Sequence, residues 1–296
     1  MKTKLSFILL LGFLALPVQA SQSVDETHPA DFDVRIHFSA VTGDYRFIVG
    51  DDDRMEISGH LGDDVEKLDI SGDAGRWHIQ VRTRDRRGRG WGGSVTNLEI
   101  RLPAGASLDA RTVSGDIDMS GLSGRLINLA TVSGGVRARD IAPEILEVET
   151  VSGEIRLNAG GSDSSRLRSV SGNIRAEQVA GRVRVHSVSG TAEVNGFAIE
   201  EGEFETVSGR LRLNLEPLER ARLNLSAHSG DIHLVLPSAT AMDFQGRTFS
   251  GSIRSEFGGE SVRGRGPGER MTHRTGDGGV RIEAQTFSGR IRLASQ

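Results

Sequence analysis

Apolar and polar residues alternate along most of the chain, and the alternation returns at a fixed distance. "TVSGDIDM" at 112–119, "TVSGGVRA" at 131–138 and "TVSGEIRL" at 150–157 are one phrase written every nineteen residues. Its glycine recurs at Gly115, Gly134, Gly153, Gly172, Gly190, Gly209, Gly230, Gly251 and Gly289, with spacings of 19, 19, 19, 18, 19, 21, 21 and 38. A serine precedes each one: Ser114, Ser133, Ser152, Ser171, Ser189, Ser208, Ser229, Ser250 and Ser288. Two places after the glycine stand Ile117, Val136, Ile155 and their equivalents, and four places after it Met119, Ala138 and Leu157. Five and seven places before it stand Ala110, Leu129, Val148 and Leu108, Ile127, Leu146. Period-two alternation marks a strand with one buried face. Each period therefore holds two short strands joined at Ser-Gly.

Identical phrases at a fixed period stack in register, each residue above its equivalent. The expected fold is all-β: a single-stranded, right-handed parallel β-helix or β-solenoid with rungs of about 19 residues and a degenerate N-terminal β cap. Rungs about 4.8 Å apart would give nine or ten of them a length of roughly 45 Å. The glycine admits a bend that a Cβ would obstruct. The serine hydroxyl is expected to bond the local backbone at that corner. Thr112, Thr131, Thr150, Ser169, Ser187 and Thr206 are expected to stack beside it as a column of hydroxyls. The final spacing of 38 is twice nineteen, as if one rung were hidden or interrupted.

The pattern divides the chain. Residues 1–20 read as a signal peptide: Lys2 and Lys4, an apolar run from Leu5 to Leu16, then Val18-Gln19-Ala20 as the cleavage site. Residues 21–31 read as a disordered leader. Residues 32–103 form a degenerate β-repeat that caps the solenoid, carrying "VTGDYRFIV", "MEISG", "LDISG", "WHIQV" and "LEIRLP". Residues 104–296 form the regular solenoid, with an insertion loop at about 258–279. That loop and the arginine-glycine segment 82–94 are expected to be exposed and mobile.

Composition narrows the chemistry. Aromatics make up 5% of the chain against 38 glycines, which suits a thin, turn-rich β structure. The formal charge is −4, and −6 once Lys2 and Lys4 leave with the signal (34 basic against 40 acidic), so no global basicity points to nucleic acid. No cysteine is present, which excludes disulfides, thiolate metal sites and a lipoprotein-type anchor. No membrane span is expected after the signal.

Gly88, Gly90 and Gly93 have dinucleotide-loop spacing, but a strand follows where a helix should begin. Asp51-Asp52-Asp53 and Asp63-Asp64 read as solvated acidic turns rather than a calcium site. His228 and His233 have no evident ligand partners, so neither metal nor cofactor is expected. The Ser-Gly serines are too regular for one of them to be a nucleophile. The most suggestive feature is the charged column itself: Arg137, Arg156, Arg175, Arg212, Arg254 and Arg292 hold six of its nine places. Stacked, they form a candidate stripe for a linear anionic polymer. The plainer alternative is a solvated face balanced by acids such as Glu147, Glu149, Glu203 and Glu205.

The run from about Asp33 to Leu293 resembles a bacterial family of extracytoplasmic β-solenoid proteins labelled "putative adhesins". The "VSGDI"-type phrases and the junction "LEIRLPAGASLDARTVSGDIDMSGLSG" at 98–124 carry the resemblance. It implies the solenoid fold and export, and brings no catalytic residues. The expected function is that of a non-enzymatic structural or binding protein of the bacterial envelope, periplasmic or at the cell surface. Its expected partner is an envelope polysaccharide or another envelope protein. Two rivals stay open: a parallel β-helix enzyme that binds or degrades polysaccharide, and a periplasmic partner in envelope-stress signalling.

Overall fold

The computed structural model describes residues 22–84, 95–263 and 267–296. Among them there is no helix; 22 strands join in one continuous hydrogen-bonded system. The N-terminal region holds β1 (Gln22–Pro29), β2 (Arg35–Ser39), β3 (Asp44–Val49), β4 (Arg54–Leu61), β5 (Val65–Asp73), β6 (Arg76–Thr83) and β7 (Asn97–Leu102). The regular part holds β8 (Ser107–Thr112), β9 (Asp116–Ser120), β10 (Leu126–Thr131), β11 (Val136–Ile141), β12 (Ile145–Thr150), β13 (Ile155–Ala159) and β14 (Ser164–Ser169). The longer β15 (Ile174–Ser187), β16 (Thr191–Thr206) and β17 (Arg210–Ala227) follow. The chain closes with β18 (Ile232–Leu236), β19 (Met242–Ser255), β20 (Val262–Arg263), β21 (Glu269–Arg274) and β22 (Val280–Ser295).

Strands that enter a Ser-Gly corner pair in parallel with one another, and so do strands that leave it. On the entering face β8, β10, β12, β14 and the second half of β15 follow in order, pairing Leu129 with Val148 and Val148 with Leu167. On the leaving face β9, β11, β13 and the first half of β15 pair Val136 with Ile155 and Ile155 with Ile174. The inward columns meet between the two faces. Ile117, Val136, Ile155, Leu129 and Val148 are fully buried, as are most of their equivalents. Close packing of such a core tolerates neither voids nor extra atoms. Where Gly202 leaves a gap, the Phe204 ring takes the space that a Cβ would need.

The corner follows from stacking. A Cβ on Gly153 would overlap the carbonyl oxygen of Gly134, and one on Gly172 the carbonyl oxygen of Gly153. The glycines are required because successive rungs touch through them. The expected hydrogen bond at the corner is made by a different residue. Thr131, Thr150, Ser169 and Thr206 accept the N–H of the glycine three places on, at 3.0, 2.8, 2.9 and 2.9 Å. These hydroxyls are buried, whereas the serines preceding the glycines, Ser114 to Ser288, face solvent. The buried hydroxyl is the one with no water to bond, so it satisfies the corner amide. At the opposite bend of the rung Asp140, Gln178, Ala198 and Arg220 adopt φ between 48° and 66°, the left-handed turn otherwise left to glycine.

Both ends depart from chain order. The rung of β2 and β3 lies between that of β6 and β7 and that of β8 and β9. At the other end β22 lies between β17–β18 and β19, and the corner glycines stack as Gly209, Gly230, Gly289, Gly251. No hidden rung explains the spacing of 38: the missing period is spent on a cap and a return. Part of the expected loop at 258–279 is strand β21, which runs antiparallel along the outer edge of β19. The expected disordered leader is likewise a strand, β1, antiparallel to β4, which in turn covers β7; β5 covers β6. Unpaired edges invite association, and an antiparallel strand closes them. The candidate signal peptide, and most of segment 82–94 with Gly88, Gly90 and Gly93, fall outside the described residues.

Candidate functional site

The parallel register turns every outward position into a column. The charged column of the leaving face runs in space as Asp118, Arg137, Arg156, Arg175, Glu193, Arg212, His233, Arg292, Arg254. The six arginines singled out by the repeat therefore lie on one side of the molecule, but in two groups. Arg137, Arg156 and Arg175 are consecutive, and each has a carboxylate beside it: Asp116 at 4.0 Å, Glu154 at 2.7 Å and Glu193 at 2.9 Å. The entering face has matching pairs, Arg166–Glu147 at 2.6 Å and Arg168–Glu149 at 3.0 Å. Exposed pairs of this kind contribute little stability individually. They do neutralise the middle of the stripe.

The second group differs. Around Arg212, His233, Arg292 and Arg254 the neighbouring outward column adds Arg210, Asp231 and Arg290, and a groove of about 780 Å³ opens over them. Asp231 accepts from the Arg290 side chain at 2.7 Å and from its backbone N–H at 2.9 Å. Those bonds hold its carboxyl below the usual range. Glu256 accepts from Arg292 at 2.8 Å and from the Ser295 N–H at 3.2 Å, and is lowered for the same reason. His233 is lowered as well: partial burial first, then the charge of Arg292, keep its imidazole neutral to lower pH. Its Nε2 is buried without a hydrogen-bond partner among the described residues.

The acidic turns do not gather. Asp51 and Asp53 pair with Arg54, and Asp64 accepts from the Thr42 hydroxyl at 3.2 Å. Among the described residues no group of three or more histidines and carboxylates is placed to hold a metal ion. Nor is any helix there long and apolar enough to cross a membrane.

A family model matches residues 35–294, from the first residue of β2 to within one residue of the end of β22. The chain belongs to the Toastrack DUF4097 family. No curated protein matches this Toastrack chain. Among solved structures it is similar to a putative adhesin from Bacteroides fragilis NCTC 9343, at 12% identity and a TM-score of 0.45, over 93% of this chain and 98% of that one. It is also similar to a putative lipid binding protein from Parabacteroides distasonis ATCC 8503, at 12% identity and a TM-score of 0.39, over 93% and 95%. A putative adhesin from the same organism is similar at 8% identity and a TM-score of 0.39, over 92% and 97%.

One surface of the Toastrack solenoid escapes a search for charged columns. The residue before each Ser-Gly pair points outward, and Val113, Val132, Val151 and Val170 are 42–46% exposed. This apolar ridge follows the corner from Val41 and ends in a stack of His228, Phe287 and Phe249, whose rings are parallel with centroids 5.2 and 4.7 Å apart. The signal was present in the repeated "TVSG": valine holds six of the nine places before Ser-Gly, and His228, Phe249 and Phe287 hold the rest. The register between rungs is what shows that valine outside the core.

Proposed function

We propose that this Toastrack protein is a non-enzymatic, exported binding protein of the bacterial envelope, which works by presenting repeated side chains along a rigid solenoid. The observation that supports this most is the parallel register, which sets outward residues in straight columns at one repeat distance. Such a surface suits a partner that is itself linear and repetitive. Its charged column suits a polyanion such as an acidic polysaccharide, since guanidinium groups bond carboxylates and phosphates bidentately. We take the solenoid to wind right-handed, the hand that parallel strand–crossover–strand connections adopt. We take the chain to be exported by cleavage after Ala20, to the periplasm or the cell surface. A mature mass beginning at any residue other than Ser21 would revise that site.

The test is binding of the chain to polygalacturonate and to polyphosphate, with neutral dextran as control, at low and physiological salt. Binding to the polyanions is expected to fade with salt, because exposed charges are screened over about 8 Å at 0.15 M. Polymer length, followed by size-exclusion chromatography, is expected to stay constant. Shortening of either polymer would make the protein an enzyme. Equal affinity for dextran, or none for any polymer, would end the display model.

A further inference from the structure

The two halves of the arginine column are not equivalent electrically. In the middle, each of Arg137, Arg156 and Arg175 has its own carboxylate. At the C-terminal end the groove carries five arginines and two carboxylates. Both carboxylates are engaged, Asp231 by Arg290 and Glu256 by Arg292. Arg210, Arg212 and Arg254 are left with no ion pair among the described residues, and all three are exposed. Between the guanidinium groups lies the unpartnered Nε2 of His233. A buried ring nitrogen without a partner is costly unless something bonds it. An anion or hydroxyl entering the groove would supply the missing partner and meet the unpaired guanidinium groups together.

We propose that this groove, rather than the arginine column as a whole, is the anion-binding site, and that it takes a short oligoanion whose charges are carboxylates or phosphates. The proposal rests on the binding-protein reading and narrows it to one place. Size favours an oligoanion over a single ion. Arg212 and Arg254 stand three strand spacings apart across β18 and β22, roughly 14 Å at about 4.8 Å per step. One small anion cannot bridge that span while also lying beside His233. A volume of about 780 Å³ holds several sugar-sized units and lies within the usual range for ligand sites. Gly259, Ser261 and Met271 add a wall on the side of the outer strand. The site exists only because β22 returns into the sheet. That return places Arg290 and Arg292 between β18 and β19 and closes the row.

Calorimetric titration with trigalacturonate and with tripolyphosphate tests this, each arm reporting one source of negative charge. Wild type is expected to bind at least one of them. Arg212→Ser with Arg254→Ser should weaken that binding by roughly tenfold or more, the equivalent of about 1.4 kcal/mol. Arg137→Ser with Arg156→Ser should change it by less than about twofold, since those arginines are already paired. In wild type the ring resonances of His233 should shift on titration, a readout that needs no variant and stands even if the double substitution disturbs folding. Loss of binding in the Arg137/Arg156 variant alone, an unmoved His233, or no affinity for either trimer would overturn the proposal. If the long polymers still bind in those cases, the display model survives without this site; if they do not, both fail.

Discussion

From β10 to β16 the neighbours of each strand in space are its equivalents one period away in the chain. At the two ends they are not: β2 and β3 sit inside β6 and β7, and β22 sits inside β19. In the middle, a rung interacts only with the rungs next to it, and a solenoid can add such units one after another. An end built that way would present an open edge. Interleaving instead ties an early strand to a later one, and the antiparallel strands β4, β5 and β21 cover what remains. The repeat provides length, and the departures from it provide closure. The same departure assembles the arginine groove, so the candidate site belongs to the closed end and not to the repeat.

Removing β22 separates the behaviour of the two regions most directly. In a simple solenoid, a chain ending at Gly279 would lose one terminal rung and little else. Here it should lose cooperative folding of the C-terminal half. Val280, Ile282, Ile291 and Leu293 are all buried, and at about 1.5–3 kcal/mol each their loss is on the order of 6–12 kcal/mol. That is comparable to the whole stability of a domain. Chemical denaturation of the shortened chain checks this; an unchanged midpoint would mean that β22 merely decorates the end.

Within the middle rungs the steric logic can be tested at a single position. Gly153→Val places a branched side chain against the carbonyl oxygen of Gly134, and the rungs on both sides must shift. A destabilisation of about 3 kcal/mol or more is expected, at the upper end of overpacking costs. Arg156→Ala, three residues away on the outer surface, should cost less than about 0.5 kcal/mol. Melting temperatures of the two variants separate the cases, and equal values would contradict the assigned register.

A smaller effect sharpens the picture at the end of the solenoid. Glu269 of β21 is buried, accepts the N–H of Ile253 at 2.9 Å and pairs with Arg263 at 3.1 Å. It supplies the partner that a further rung would otherwise give Ile253. The backbone bond, then Arg263, lower its carboxyl below the ordinary value of 4.5. Its stabilisation is therefore complete above the unfolded-state value and is lost as pH falls through the lower folded-state value. Glu269→Ala should cost about 2 kcal/mol near neutrality. The difference from wild type should shrink in acid, below pH 4.5. A pH-independent difference would assign the loss to packing rather than to the carboxylate.

The strand pairs, the inward columns and the glycine corner were legible in the sequence, because each depends on contacts between residues at one fixed period. Ile117, Val136 and Ile155 could be placed in a common core by counting alone. The bonding hydroxyl at the corner was harder to assign, since serine and threonine are both regular there. Burial decides between them, and burial depends on which way the chain turns. Likewise "MTHRTGDGG" contains no phrase of the repeat, so nothing local marks part of it as an edge strand. The arginine column could be counted, but not its charge balance, because Arg290 and Asp231 lie 59 residues apart in the chain. Local alternation and a constant period determine how a rung is made. Which rung lies beside which at the ends, and therefore where unpaired guanidinium groups collect, was decided by long-range pairing in the folded protein, where edges must be closed by whatever strand can reach them.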